Sequence, residues 1–471
     1  MTRVCYIPHG KEIAIIKEVA TLLRKDGIEF IFVTKEESIA KKYKEDGFAS
    51  CCIGEIINQK IIFSQEELRA IDLEYGPKGI RSICNSDVYT RLLFKKETER
   101  ENLIARAYKF WEDFYTRHEV DCVMVSDTGT FDSRSGYNVA RHRNLPILRI
   151  MPGPGKGYFT LSDIEEEYCW SELVDILHQG PRLLTEDQKR CAFEFIDKFT
   201  EKKQGALDSF GSIYIHTPLL SRLTYLVGLW KMVIDEKRDN NYFGAASARY
   251  SIDKHIRRTW WRYITKNFFR YDKPEDERYV FLPLFYKYEA RHRGNYYYWT
   301  ENLLSLVKEV ADSLPAGVKL YIKEHPDVPG SSTLRFLRSA QNIPNVKVIH
   351  PLTRGQHLIE NCKAVVVVEG TLAWEAYLMK KPVVMLGNQV YFSRSRLIYK
   401  VGSPAELAAA FFEAIRKGSD IYQENEEEWI WFIHSVITTS YKGAYRTEDY
   451  AFADNYKMLA KSIKDKIRRC V

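Results

Sequence analysis

Two turns in the second half of the sequence contain residue types that can bind phosphate. The first is formed by Lys323, Glu324, His325 and Pro326. The proline excludes the helical conformation for the histidine before it, so the preceding strand ends abruptly. An imidazole there can donate a hydrogen bond to a phosphate oxygen, and the Lys323 ammonium can neutralise negative charge. A single histidine after a strand is often structural, so both roles stay open.

The second turn, Glu369-Gly370-Thr371, ends a valine-rich run and opens a helical segment. Backbone N–H groups and the Thr371 hydroxyl at such a helix start face an incoming anion, and glycine allows the anion to approach the backbone closely. Glu375 follows one turn later, where it either accepts a hydrogen bond from a ribose hydroxyl or favours the positive helix end. Together, the two turns predict a nucleotide site.

A third group of candidates lies in the first half, in the segment SDTGTFDSRSG at residues 126–136. Asp127 and Asp132 follow an apolar run that is typical of a buried strand, where a carboxylate can be aimed at a substrate as a general base. Asp and Ser are also preferred turn formers and helix caps, so Asp132 is alternatively the cap of a helix over residues 135–143. Asp127 is the stronger candidate for the base.

The elements that position these residues are short β-branched runs alternating with helical segments. This alternation predicts parallel sheets, whose strands are buried on both faces and whose ligands bind beyond the carboxyl ends of the strands. In the second half, the predicted strands cover residues 279–282, 320–322, 346–349, 364–368 and 383–386. In the first half, they cover residues 4–7, 30–33, 122–125 and 147–150, with one long helix predicted over residues 88–117.

The chain length of 471 residues exceeds what one hydrophobic core usually supports, which indicates more than one domain. We predict an amino-terminal α/β domain over residues 1–170 and a helical connecting region over residues 171–275. A second α/β domain, which binds the nucleotide, is predicted over residues 276–425. Helices over residues 426–471 are expected to pack back towards the first domain.

Charge and cysteine content narrow the range of partners. The net charge of +7 suits anionic small molecules or a membrane surface at least as well as nucleic acid, and no nucleic-acid partner is predicted. The nine cysteines lack CxxC pairs and Cys/His spacings, which indicates a reduced protein without a structural metal. A strand begins almost at the first residue, and no apolar run approaches the length of a membrane span. We therefore expect a cytoplasmic protein.

Two basic segments bear on membrane contact. Residues 254–271 mix arginine, lysine and aromatic residues, which suits anionic lipid or a polyanionic acceptor. The favoured interpretation is a helix between domains whose Trp and Phe side chains belong to the core. In residues 454–469, Leu459, Ile463 and Ile467 recur every four residues among basic residues. We expect that helix to pack on the first domain, with peripheral contact at the inner membrane face as an addition.

Three segments of the second half together resemble a known family: PLFYKYEARHRGNYYYW at residues 283–299, LPAGVKLYIKEHP at residues 314–326 and VVVVEGTLAWEAYLMKKPVVMLGNQVYF at residues 365–392. The chain is similar here to the cytoplasmic capsule polysaccharide biosynthesis transferases, which include β-Kdo transferases. The resemblance implies a GT-B fold, in which two Rossmann-like domains face each other across a cleft. It places the sugar nucleotide on the second domain and the acceptor mainly on the first, and implies inverting transfer without a metal or a cofactor.

The resemblance also implies roles for individual residues, with His325 and Thr371 near the donor phosphate. Together with the turn residues discussed above, the whole predicted donor-binding set is Glu289, Lys323, His325, Pro326, Glu369, Gly370, Thr371 and Glu375. The donor is a CMP-linked or other sugar nucleotide, and the acceptor is a polysaccharide or a lipid-linked glycan. Members of the family often carry a Ser-Ser or Ser-Thr pair where this chain has Glu369-Gly370-Thr371, and a carboxylate there repels phosphate unless it turns to the sugar or ribose.

Three other functions are compatible with the sequence. A GT-B frame with a His-Pro turn also serves transfer of a polyol phosphate from a CDP-linked donor. Non-hydrolysing epimerisation of a sugar nucleotide uses the same fold and needs no acceptor. A domain pair without enzymatic activity would bind a sugar nucleotide or a partner in the assembly of a surface polysaccharide.

Overall fold

The computed structural model describes residues 1–8, 13–76, 79–164, 169–201, 219–234, 242–285, 299, 302–325, 332–368, 370–387, 390–445 and 454–471. The strands in these stretches are β1 (Thr2–Ile7), β2 (Ile28–Thr34), β3 (Ala49–Cys52), β4 (Cys122–Val125), β5 (Ile147–Pro152), β6 (Tyr158–Ser162), β7 (Tyr279–Leu284), β8 (Lys319–Glu324), β9 (Val346–Ile349), β10 (Ala364–Val367), β11 (Val383–Met385), β12 (Tyr399–Lys400) and β13 (Tyr441–Lys442).

Helices connect most of these strands and are named here by their bounds. The α-helices are Ile13–Leu23, Glu37–Glu45, Gln65–Tyr75, Ile80–Ser86, Val88–Leu93, Glu97–His118, Phe131–His142, Ser171–Gln179, Glu186–Glu201, Leu219–Ile234, Tyr242–Phe268, Leu303–Asp312, Leu334–Gln341, Gly355–Asn361, Thr371–Leu378, Leu407–Lys417, Asp420–Glu424, Glu426–Thr439 and Asn455–Cys470. Short 3₁₀ helices are Arg24–Asp26, Ile53–Asn58, Tyr391–Arg394 and Pro404–Glu406.

The first sheet has the strand order β13-β6-β5-β4-β1-β2-β3. Its five strands from β5 to β3 are parallel, β6 pairs antiparallel with β5, and β13 pairs antiparallel with β6 at the edge of the sheet. Successive residues of β1 enter cores on opposite faces, with Val4 and Tyr6 on one side and Cys5 and Ile7 on the other. Because helices cover both faces, these strands are mostly apolar on both faces instead of alternating with polar residues.

The second sheet has the order β12-β11-β10-β7-β8-β9, and all its strands are parallel. Numbered from β7, this is the order 6-5-4-1-2-3 of a Rossmann sheet, and the first sheet shows the corresponding order 5-4-1-2-3 before its antiparallel extension. The predicted α/β fold with two Rossmann-like sheets is confirmed. In each sheet, the strand order reverses between the first and fourth parallel strands, and ligands of such sheets bind at that position.

The two sheets are linked by one apolar cluster, against which Met151 of β5 and Tyr158 of β6 also pack. Helices Ser171–Gln179, Glu186–Glu201 and Glu426–Thr439 contribute buried residues to the apolar cluster that also covers one face of the second sheet. Trp374 belongs to this cluster, and its indole Nε1 donates a 2.8 Å hydrogen bond to the buried Pro154 carbonyl oxygen. Pro154 follows β5 at the carboxyl edge of the first sheet. This bond ties that edge to the helix Thr371–Leu378 of the second sheet.

The carboxyl-terminal segment returns to the first domain. Strand β13 joins the first sheet, and the helix Asn455–Cys470 buries Leu459, Ile463 and Ile467 in that sheet's core. The buried Lys466 ammonium lies 2.7 Å from an Asp163 carboxylate oxygen. The apolar stripe of this helix therefore faces protein. No helix in the described stretches has the length and apolar character needed to cross a membrane.

Three details of the predicted elements are wrong. The helix expected over residues 88–117 is two helices, because Phe94 adopts an extended backbone and packs against the first sheet's core. The helix expected to begin at residue 135 begins at Phe131, where Thr130 and Ser133 form a capping box, so Asp132 lies in the first turn and is not the cap. In the basic segment 254–271, Trp260 and Phe268 are exposed instead of belonging to the core.

Candidate functional site

The turn at Gly370 lies at the position where the strand order of the second sheet reverses. It follows β10, the neighbour of β7, and Gly370 has φ 131° and ψ 161° at the N-cap of the helix Thr371–Leu378. This backbone conformation is essentially restricted to glycine. It turns the chain so that the first N–H groups of the helix and the exposed Thr371 side chain lie at the carboxyl edge of the sheet. These are the groups that an anion needs.

Substituting Gly370 with alanine is expected to strain this turn. A Cβ would meet nothing within 4 Å, so the cost comes from the backbone and not from a clash. We expect the free energy of unfolding to fall by about 1–3 kcal/mol, as for other L-residues in this region. Urea unfolding measures the loss. Alanine at Gly228, a helical position with open space and an ordinary backbone, is the control and is expected to be neutral or slightly stabilising.

Glu375 lies one turn into the same helix, on the same face as Thr371. Its side chain is only 6% exposed, and in the described part of the chain its carboxylate has no hydrogen-bond or ion-pair partner. Burial raises the pKa of Glu375 to about 7. A buried carboxyl without a partner costs free energy, and such groups are found where a ligand supplies the missing partner. Glu375 is the residue of this sheet with the clearest signature of a binding site.

The end of β8 carries the other predicted turn. His325 is half-buried directly beyond the strand, at the same carboxyl edge as Gly370. Lys323 is buried, and its ammonium donates hydrogen bonds to the carbonyl oxygens of Glu324 and Pro351, at 3.4 and 3.2 Å. The Lys323 ammonium therefore holds the turn that follows β9, and this contact is structural. We leave Lys323 out of the donor site proposed below.

Three members of the predicted donor-binding set, Glu289, Pro326 and Glu369, lie outside the described residues. Two aromatic residues that follow β11, Tyr391 and Phe392, are packing residues. The Tyr391 ring contacts Trp170 and Trp374, with ring centroids 5.4 and 5.6 Å apart, and Phe392 is buried.

Asp127 lies at the position of strand-order reversal in the first sheet. It follows β4, the neighbour of β1, by two residues. Its Oδ1 accepts a 2.9 Å hydrogen bond from the Gly129 N–H, which fixes the carboxylate against its own turn. The side chain is half-buried, so it is held in place and can still be reached by a substrate. These properties suit a general base.

Asp132, the second predicted carboxylate, is buried in a charged cluster. Lys35 Nζ lies 3.2 Å from Asp132 Oδ1 and also donates a 3.2 Å hydrogen bond to Thr130 Oγ1. Burial acts to lower the pKa of Lys35, but its interactions with nearby acidic groups, with the Asp132 carboxylate first, outweigh burial, so the Lys35 pKa is raised. Asp132 is 1% exposed and is paired with a cation, which makes it a supporting residue and not a second base.

No sequence pattern pointed to Asp87, the third member of this cluster. Its two carboxylate oxygens accept hydrogen bonds from the N–H groups of Thr90 and Phe131, at 2.7 and 2.6 Å, so it caps one helix and joins it to the start of another. Burial raises the pKa of Asp87 to about 6 against the effect of those bonds. Lys35 could have been found by the rule that located Asp127, since it directly follows β2.

The region around the second sheet has known relatives. Residues 237–394 match the family described as capsule polysaccharide biosynthesis protein. The family predicted from the sequence is confirmed for this region. The match covers about a third of the chain and contains β7 to β11 and the helix Thr371–Leu378. No curated protein sequence matches the chain.

Several solved structures are similar to the chain at low identity. The KpsC β-Kdo 2,7-transferase of Thermosulfurimonas dismutans has 14% identity and a TM-score of 0.37, covering 64% of this chain and 79% of that one. A glycosyltransferase of Rickettsia africae has 10% identity and a TM-score of 0.32, covering 100% and 98%. The UDP-GlcNAc 2-epimerase of Methanocaldococcus jannaschii has 12% identity and a TM-score of 0.31, and the match covers 89% of this chain and 93% of that one. Because these values are low, the fold assignment rests on the strand order of the two sheets.

Proposed function

We propose that this protein is an inverting, metal-independent glycosyltransferase that moves a sugar, Kdo or a related one, from a nucleotide donor to a capsular polysaccharide or glycolipid acceptor. The observation that carries this proposal is the hydrogen bond between Trp374 and Pro154. It holds the helix that contains Thr371 and Glu375 against the carboxyl edge of the first sheet, where Asp127 lies. A donor on one edge and an acceptor on the other would then meet.

The reaction would be a single displacement. Asp127 takes the proton of an acceptor hydroxyl, the hydroxyl oxygen attacks the anomeric carbon, and the bond from that carbon to the donor phosphate breaks. The electron pair leaves with the nucleotide, whose developing charge is stabilised by the N–H groups after Gly370, by Thr371 and by His325. Glu375 binds the ribose hydroxyls. Nine free cysteines are compatible with a reducing compartment, and we place the protein in the cytoplasm.

The donor class is tested first by binding. Calorimetry with CMP, CDP, UDP, GDP and dTDP selects the base, and the matching sugar nucleotides are then incubated with and without a glycan acceptor. We expect nucleotide release that depends on the acceptor. Phosphate retained in the product would indicate polyol-phosphate transfer, and an altered sugar without acceptor would indicate epimerisation. Binding without turnover of any donor would contradict an enzymatic role.

Asp127→Asn tests the assignment of the base. Loss of a general base typically costs at least about 100-fold in rate, so we expect kcat to fall by that factor while nucleotide affinity stays the same. Asp113→Asn, which changes an exposed carboxylate on the helix Glu97–His118, is the matched control and is expected to be silent. Unchanged turnover in Asp127→Asn would assign the base to another residue.

A further inference from the structure

The helix pair Leu219–Ile234 and Tyr242–Phe268 exposes more apolar surface than a soluble surface helix normally does. The two helices contact each other through Leu229 on the first helix and Ala248 and Ile252 on the second. On the first helix, Val227, Trp230 and Ile234 are each more than half exposed, and so are Ile256, Trp260 and Tyr263 on the second. Each set follows the spacing of one helix face, at intervals of three or four residues. The exposed side chains therefore form two continuous stripes.

The helix pair carries a strong excess of positive charge. By sequence, the helix Tyr242–Phe268 carries six Lys or Arg residues and one acidic residue, Asp253. The helix Leu219–Ile234 adds two basic residues and no acidic one. Tryptophan and tyrosine beside arginine and lysine are the residue types that concentrate at the boundary between lipid and water.

We propose that this helix pair is the surface by which the protein docks on an anionic phospholipid bilayer. The bilayer takes up both features, since its interior covers the apolar stripes and its headgroups attract the basic residues. A second copy of the chain would instead bring two basic surfaces together, which electrostatics opposes. The surface is distinct from the carboxyl-terminal helix, whose apolar stripe is buried in the first domain.

The helix pair lies where it could bring the acceptor edge of the first sheet to a membrane that contains a lipid-linked acceptor. This point rests on the proposed function. The helix Tyr242–Phe268 contacts the helix Val88–Leu93 and the 3₁₀ helix Ile53–Asn58. The first is capped by Asp87 of the charged cluster, and the second directly follows β3, so both lie at the carboxyl edge of the first sheet. Docking would hold that edge close to the membrane surface, where the sugar chain of a glycolipid emerges.

Vesicle flotation tests the proposal with the full-length chain. We expect binding to vesicles of phosphatidylcholine and phosphatidylglycerol mixed at about three to one, little binding to pure phosphatidylcholine, and loss of binding as salt is raised. The double variant Trp230→Ser, Trp260→Ser is expected to bind at least about tenfold more weakly. Both tryptophans are exposed, so the fold should be retained, as circular dichroism can verify. Phe412→Ser, at an exposed aromatic residue of the helix Leu407–Lys417, is the control and should bind like wild type.

Two results would overturn the proposal: no binding of wild type to the anionic vesicles, or equal binding by the double variant. A concentration-dependent dimer in sedimentation that the double variant abolishes, without vesicle binding, would assign the surface to a second copy instead. The double variant should keep wild-type turnover on a soluble glycan acceptor. If no donor is turned over by any variant, the proposed function fails while the vesicle result stands on its own.

Discussion

Replacing Glu375 with glutamine is expected to stabilise the unliganded protein and at the same time weaken its binding of nucleotide. Burial raises the pKa of this carboxyl from the ordinary 4.5 to about 7. Each pH unit of such a difference corresponds to about 1.4 kcal/mol, so the ionised carboxylate costs roughly 3 kcal/mol in the folded state. Glutamine has nearly the same shape and no charge. We therefore expect the free energy of unfolding at pH 8 to rise by up to about 3 kcal/mol.

The sign of this effect depends on pH. The unfolded chain loses the Glu375 proton near pH 4.5, whereas the folded protein keeps it until about pH 7. Between these values the folded state binds more protons, so the stability of the native protein falls as the pH rises. The gain from Glu375→Gln should accordingly be near zero at pH 4.5 and complete at pH 8. Urea unfolding at both pH values measures the difference.

Nucleotide affinity provides the second readout for Glu375. A hydrogen bond from a ribose hydroxyl to a charged acceptor is worth about 1.5–3 kcal/mol, so Kd should rise by about 10- to 100-fold in Glu375→Gln. Glu360→Gln, on the exposed surface of the helix Gly355–Asn361, should alter neither quantity. A gain in stability with unchanged affinity would remove Glu375 from the site. A loss of stability at both pH values would show that the carboxylate has a structural partner.

The strands at the centre of each sheet were predictable because they are short, apolar on both faces and bounded by turn residues. Those predicted over residues 122–125 and 346–349 agree with β4 and β9 to the residue. Strand β6 and the edge strands β3, β12 and β13 were missed. The sequences of the three edge strands, ASCC and twice YK, carry no strand signal of their own, and their pairing depends on neighbours brought near by the fold.

The rule that ligands lie beyond the carboxyl ends of parallel strands located Asp127, His325, Gly370 and Thr371 correctly at the two sheet edges. A sequence pattern does not reveal how deeply each polar side chain is buried or which hydrogen-bond partners surround it. Lys323 is buried, and its ammonium donates hydrogen bonds to backbone carbonyl oxygens. Glu375 is also buried, but its carboxylate has no partner in the described part of the chain. These opposite outcomes depend on tertiary packing, which decides whether a polar group is satisfied within the protein or by a ligand.

The charged cluster of the first domain leads to the second large effect, the loss of stability in Lys35→Met. This substitution removes the cation from beside two carboxylates that are each 1% exposed, Asp132 and Asp87. Breaking a buried ion pair from one side costs about 3–5 kcal/mol. Because the Lys35 side chain is 25% exposed, water screens part of this cost, and we expect about 2–4 kcal/mol at pH 8.

The carboxylate of Asp87 makes the loss in Lys35→Met dependent on pH. Burial raises the pKa of Asp87 to about 6 even with Lys35 present, so its proton is bound more tightly in the folded than in the unfolded state. Removing the cation raises the pKa of Asp87 further, and the penalty on this carboxyl is relieved once it is protonated below about pH 5. Urea unfolding should show a large difference from wild type at pH 8 and a smaller one at pH 5.

A second substitution separates lost charge pairing from lost packing. In Lys35→Met with Asp132→Asn, one buried charge is replaced by a neutral side chain of similar shape, and we expect most of the stability to return. The exposed pair of Lys17 and Asp46, 2.7 Å apart, is the control, and Lys17→Met should cost less than about 1 kcal/mol at either pH. If the double variant is as unstable as Lys35→Met, the lysine stem supports the fold by packing, and the lost charge pairing with Asp132 contributes little to the stability.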